Sequence, residues 1–274
     1  MIANDLYSTP SSKLKIDYLE PILYLAIHNG HYLSDSIAEK IGISEADRLR
    51  EEDPYTSRFI VDKPNHVVQT VSRFQYDLNR SRDHAIYQSP DDCWSLPVYP
   101  RHPLTEQEIT SSLQEYDAFY SKLINIIEDF LQRHEKIIVW DVHSYNHHRQ
   151  GINAPYDSDE ENPEIILGTN HYRYMPEHWK PIIDRIENDM NSRNFIGQFS
   201  NRALIHPHLD VRQNIKFSGG YLSQYLNHTY GDRVCCIAIE FKKIWMNEWT
   251  GEVDETCFKL LKKIFDSVSN ISIN

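Results

Sequence analysis

Long apolar runs are missing from this chain. No stretch approaches the ~20 apolar residues that a membrane-spanning helix needs. The opening residues, MIANDLYSTPSSKLKIDYLEP, lack the apolar core of a secretion signal, so a cytoplasmic location is expected. Cysteine is scarce. The four present, Cys93, Cys235, Cys236 and Cys257, match no disulfide framework and no Cys-rich zinc module. Cys235 and Cys236 are adjacent in an apolar run and would face opposite sides of a strand, so buried free thiols are expected. Basic charge is short too: 28 Lys and Arg stand against 40 Asp and Glu, a formal charge of −12. That balance argues against the basic stripe that nucleic acid or an anionic membrane would need. It leaves room for a small anionic substrate, which one or two local arginines can hold. Repeats, low-complexity tracts and interior linkers are absent, so residues 1–274 read as a single domain. Residues 1–17 read as a polar, loosely held lead-in.

What is present centres on Ile137–Ser144, IIVWDVHS. Four apolar residues run into an Asp-x-His-Ser cluster, the pattern of a buried α/β strand. Ligands of such sheets collect beyond the strands' carboxyl ends. His143 there suits a metal ligand with Asp141 as its support, and the octet alone reads equally as an ordinary hydrogen-bonded strand end. Pro21–Ile27, PILYLAI, repeats this grammar and ends in His28-Asn29-Gly30-His31. Glu51-Glu52-Asp53-Pro54 taken alone reads as a solvated acidic face, ended by the proline. His66–Tyr76 reads as a strand or strand pair running into Asp77-Leu78-Asn79-Arg80, where an Asn-Arg pair can fork around a carboxylate. Arg73 reads equally as a substrate ligand or as one half of a structural ion pair. Residues 81–103 read as a long surface excursion.

Thr105 and Glu108 form a capping box, opening an amphipathic helix expected to end near His134. Ile165–Asn170 reads as a strand with a polar turn. Helices are expected at 176–193, at YLSQYLNHTYG and at 254–268. Val234–Ile239, VCCIAI, is a last buried strand. It delivers Glu240, an acid too costly to bury without a metal, a cation or substrate. His147, His148, His206 and His208 read as surface or loop histidines, and Trp245 and Trp249 as core or interface.

Apolar runs thus end in His28, Asn79 with Arg80, His143 and Glu240. Two histidines and a carboxylate make a familiar catalytic zinc set. A further carboxylate can serve as general base and then acid. With Asn and Arg to hold a carboxylate, the set spells metal-assisted hydrolysis of an amide in a small acidic molecule.

In order, the pieces HNG, EED, SRFQYDLNR, DVHS, LGTN, NIKFSGGYLSQYL and IEFKKIWMNE resemble the N-formylglutamate amidohydrolase family over roughly residues 20–250. More distantly they are similar to aspartoacylase and the zinc carboxypeptidases. The resemblance implies a phosphorylase/hydrolase-like, three-layer α/β/α fold with a mixed sheet, and one zinc per chain. It implies His28, His143 and Asp53 as zinc ligands, with Glu52 and His31 as alternatives for the third position. Glu240 falls at the general acid/base, and Asn79 and Arg80 fall at the grip on the substrate carboxylate. Asp141 and Ser144 become supports, while Asn214 and Lys216 line the rim; Lys216 stands where the hydrolases are expected to carry Arg. The implied reaction removes an N-acyl, formyl-like group from an acidic amino acid or similar small carboxylate. A carboxypeptidase-like hydrolase acting on peptide or peptidoglycan fragments is the alternative, as is a non-catalytic relative that binds an acidic ligand.

Overall fold

The computed structural model describes residues 11–99, 103–195, 198–199, 202–203 and 208–271. His206 lies outside them. The chain divides into two compact units, residues 1–135 and 136–274.

Among its described residues the first unit contains three strands, β1 (Ser12–Lys15), β2 (Ile22–Ala26) and β3 (His66–Gln69). β3 runs parallel to β2 and antiparallel to β1. β2 is apolar and buried along its whole length, as PILYLAI requires. Of the expected lead-in at 1–17, residues 1–10 lie outside the described residues, while Ser12–Lys15 form β1. Leu14 and Ile16 alternate with outward-facing lysines, which is the pattern of an edge strand. Just beyond it, the Asn65 side chain accepts the backbone N–H groups of Asp17 and Tyr18 at 2.9 and 3.0 Å.

Helices α1 (Asp35–Ala38) and α2 (Glu45–Glu51) follow β2. Helix α3 spans Glu106–Arg133, as its capping box predicts. The Thr105 hydroxyl accepts Glu108 N–H at 3.3 Å, and the Glu108 carboxylate accepts Thr105 N–H at 2.6 Å. Its stripe of Tyr116, Phe119, Tyr120, Leu123, Ile126, Ile127 and Phe130 is buried.

Two expectations for this unit are amended. The strand ends at Gln69, and residues 72–77 turn instead, because the Ser72 hydroxyl accepts Phe74 N–H and draws the backbone round. The expected surface excursion holds only in part: among the described residues Arg82–His84, Gln88–Asp91, Trp94 and Ser95 are exposed, but others turn inward. Tyr87, Cys93 and Val98 pack with Phe74 into a buried cluster, and the Tyr99 hydroxyl donates to the Phe74 carbonyl at 2.7 Å.

The second unit contains β4 (Ile137–Tyr145), β5 (Ile165–Gly168), β8 (Val211–Gln213) and β9 (Val234–Lys242), ordered β4-β9-β5-β8. β9 runs parallel to β4 and antiparallel to β5, and β5 runs parallel to β8. A short antiparallel ribbon joins β6 (Gln198–Phe199) to β7 (Arg202–Ala203). Helices α4 (Lys180–Asn191), α5 (Tyr221–Tyr230) and α6 (Glu255–Ser269) complete it. α5 packs on β9, and α4 packs on both β8 and α6. Mixed strands with helices between them place the chain in the α/β class, as expected. Among the described residues no helix is long and apolar enough to cross a membrane. All four cysteines are buried and free.

Candidate functional site

In the first unit the turn after β2 carries His28 and Asn29. Asp53 follows α2, and its N–H donates to the His28 carbonyl at 3.1 Å, so a main-chain bond brings the two residues together. Asn29 accepts Ser57 N–H at 3.0 Å and fastens the segment after Asp53. Gly30 must be glycine, since a Cβ there would stand 2.3 Å from the Val71 carbonyl oxygen.

His28 is buried, with Nε2 2.6 Å from Asp77 Oδ1. A carboxylate only accepts, so Nε2 carries the proton and Nδ1 presents its lone pair. Nδ1 in turn lies 3.4 Å from Asp53 Oδ2. Two lone-pair atoms so placed repel each other unless a cation stands between them. Ligand atoms bound tetrahedrally at ~2.0–2.1 Å stand ~3.3 Å apart, so this pair fits a metal.

The acidic triplet is not a solvated face: Glu51, Glu52 and Asp53 are all buried. The Glu52 carboxylate takes the Ser72 hydroxyl and lies 2.5 Å from His31 Nδ1. That contact is the chief reason the His31 pKa is raised. The two alternatives for the third ligand are therefore engaged with each other.

Asp77 is the hub of this half. Besides His28 it accepts Asn79 N–H at 2.8 Å, Arg73 Nη2 at 2.7 Å and the Tyr87 hydroxyl. Burial alone would raise its pKa, but Arg73, His28 and Tyr87 hold it well below the usual carboxylate range. Arg73 is thus ion-paired with Asp77. Arg80 is more open; its Nη2 donates to the Asp92 carbonyl at 2.9 Å, and its Nε lies 3.8 Å from Asp77 Oδ2.

In the second unit His143 and Glu240 are register partners on β4 and β9. Directly opposed residues of paired strands share a face, on strands ~4.8 Å apart. Glu240 is partly buried, and β9 continues past it to Lys242. Asp141, two residues before His143 on the same face, brings Oδ1 to 2.9 Å from His143 Nε2. Both Asp141 oxygens are buried without an aligned hydrogen-bond donor among the described residues. A buried carboxylate in that position calls for a cation nearby. Ser144 falls on the opposite face of β4 and is buried.

Asn214 serves as a turn fastener. At φ +56° its Oδ1 accepts Thr169 N–H at 2.9 Å and holds the end of β5. Lys216 donates to Asn162 Oδ1 and lies 5.2 Å over the Tyr145 ring. Gly168 and Gly219 each have a physical reason: a Cβ on Gly168 would lie 2.6 Å from Gly219 N, and Gly219 has φ +103°.

Sequence reading missed three buried groups. Asp77 stood in the DLNR motif with no role assigned. Lys242 is fully buried, its Nζ on Asp159 Oδ1 at 2.8 Å and the Asn162 carbonyl at 2.6 Å. Glu248 accepts the N–H groups of His147 and His148 and lies 2.8 Å from His147 Nδ1. His147 is accordingly buried rather than on the surface, whereas His208 is exposed. Trp245 is core, as expected. A cavity of about 510 Å³ lined by Tyr32, Val71, Phe119 and Lys122 includes none of the candidate residues.

The N-formylglutamate amidohydrolase family model matches residues 20–246. The chain belongs to that family. It is a hydrolase acting on an amide bond. An N-formylglutamate amidohydrolase from Ralstonia eutropha JMP134 is 17% identical over 96% of both chains, with a TM-score of 0.70, and shows that the fold is shared. A gene product of Agrobacterium tumefaciens is also 17% identical over 96% of both chains, with a TM-score of 0.60. A metallo-carboxypeptidase from Pseudomonas aeruginosa, 15% identical over 96% of this chain and 57% of its own, has a TM-score of 0.31, too slight a likeness to carry an inference. No curated protein matches the sequence. His28 and Asp53 in the first unit, and His143 in the second, are each buried side chains of a kind that binds metal ions.

Proposed function

We propose that the protein is a zinc-dependent amidohydrolase that removes a formyl-like acyl group from a small N-acyl amino acid. The observation that carries this reading is the pair His28 Nδ1 and Asp53 Oδ2, 3.4 Å apart, with the proton of His28 fixed on Nε2 by Asp77. In this reading His28, Asp53 and His143 hold the zinc. When bound, the metal polarises the scissile carbonyl and lowers the pKa of water.

The chain's own groups do the rest. Asp77 fixes the proton-bearing edge of the His28 imidazole, which is how carboxylates orient metal-binding histidines, and Asp141 stands beside His143 Nε2. Glu240 takes a proton from the attacking water and returns it to the departing amine nitrogen. Arg80, with Asn79 beside it, receives the substrate carboxylate, and one water is consumed per acid and amine released. Lys216 and Asn214 frame the rim of the second unit, where Asn214 acts through the turn it fastens.

The test is metal content and turnover of protein purified without a histidine tag. About one zinc per chain is expected in the wild type, with little in His143→Ala. Glu240→Gln should retain the metal and lose turnover of N-formyl amino acids by a factor of 10² or more. Metal-free wild-type protein that stays empty after incubation with zinc would sink the reading.

A further inference from the structure

Trp94 is the residue of the first unit whose placement the hydrolase site leaves unexplained. Its side chain is 45% exposed, although the residue before it, Cys93, is wholly buried. Trp94 has φ +47° and Ser95 φ +65°, two successive left-handed residues that both carry a Cβ. Such a backbone is unfavourable and persists only where its surroundings hold it. Here they do. Ser95 N–H donates to the Pro90 carbonyl at 2.9 Å and Leu96 N–H to the Cys93 carbonyl at 2.7 Å. The Ser89–Asp92 capping box closes the turn from the other side. The indole is therefore displayed on a rigid turn.

What it is displayed against is specific. One face lies 4.8 Å from the Arg73 guanidinium. Arg73 is paired with Asp77 Oδ2 at 2.7 Å, and Arg80 approaches that same oxygen at 3.8 Å. Arg80 also binds the Asp92 carbonyl, within the turn that carries Trp94. The indole thus covers one arginine, whose charge is already matched, and its turn is gripped at the Asp92 carbonyl by a second that is 37% exposed.

We propose that Trp94 is a specificity-determining residue whose indole forms an apolar wall beside Arg80 and receives the substrate's side chain. This rests on the reading of Arg80 as the grip on the substrate carboxylate. A substrate anchored there lays the group next to its carboxylate on an aromatic face. Glutamate would bring a second carboxylate to that wall, where the neighbouring Arg73 is spent on Asp77. An aromatic or apolar side chain gains ring contact instead. The preferred substrates are therefore N-formyl derivatives of aromatic and apolar amino acids.

The experiment compares kcat/KM for N-formylphenylalanine and N-formylglutamate on the metal-loaded full chain, for wild type, Trp94→Ala and Trp94→Phe. Wild type should favour the phenylalanine substrate. Trp94→Ala should lower that selectivity ratio about tenfold, mainly through KM, and Trp94→Phe should restore most of it. A wild-type preference for N-formylglutamate overturns the proposal. So does a ratio unchanged in both variants, including the case where both substrates slow equally because the turn is disturbed. Absence of turnover on every N-formyl amino acid overturns the hydrolase reading itself, and the role of Trp94 with it.

Discussion

His143 and Glu240 face each other across neighbouring parallel strands, directly paired in register. The separation between a proposed metal ligand and a proposed proton carrier is thus set by the sheet's hydrogen-bond ladder. Loop conformation has no part in it.

Glu240→Asp should reveal how tightly that spacing is used. The shorter side chain draws the carboxylate back by ~1 Å, a displacement that can cost ~10²-fold in rate. The drop is expected in kcat, with KM and metal content near wild type. Steady-state kinetics with metal analysis checks it.

Asp77→Asn removes the charge that fixes the proton of His28 while keeping the shape. Loss of such a carboxylate weakens metal binding ~10–100-fold. A competition titration against a chromophoric chelator should register that loss, and metal affinity equal to wild type would refute the role.

Gly30→Ala should be severely destabilising, because the new methyl meets main-chain atoms of Thr70 and Val71 that cannot swing aside. Alanine at Gly151, where nothing lies within 4 Å of the added Cβ but φ is +124°, is the control for backbone strain alone. Thermal unfolding should rank the Gly30 variant well below it.

The capping box of α3 makes a pH prediction. Lys40 beside Glu108, with the Thr105 N–H, lowers the Glu108 pKa from the usual 4.5 to about 2. A depressed folded-state pKa gives stability that is fully present above about pH 4.5 and lost as the pH falls towards about 2. Glu108→Gln should flatten that part of the acid-unfolding curve. Thr105→Ala should cost ~1 kcal/mol at neutral pH through the lost cap.

Lys242→Met tests the anchoring of the acidic loop before β5. The substitution leaves Asp159 and Glu164 without the ammonium that both approach, at 2.8 and 3.4 Å. Amide exchange should speed up across residues 157–164 while the strands remain protected, and uniform protection would count against the anchor.

The elements legible in the sequence were those whose pattern is local. IIVWDVHS and VCCIAI announce buried strands, and Thr105 with Glu108 announces α3. β1 was hidden because SKLK has too few apolar residues for its alternation to outweigh polar neighbours. The inward packing of Tyr87, Cys93 and Val98 was hidden because a proline-marked segment has no period to read. The candidate site divides in the same way. His28 and His143 stand at the ends of apolar runs, where chemistry is looked for. The burial of the acidic triplet depends on a main-chain bond from Asp53 to His28. Likewise, Lys242 is buried only because Asp159, Asn162 and Glu164 fold back over it.

The four cysteines have a practical consequence. Burial pushes the Cys93 thiol up to about 12 and the other three higher still, so almost no thiolate is present at neutral pH. The folded protein should be nearly silent to maleimides. A single cysteine placed on the exposed surface, at Ile152 for example, could carry a fluorophore or spin label with every native thiol left in place.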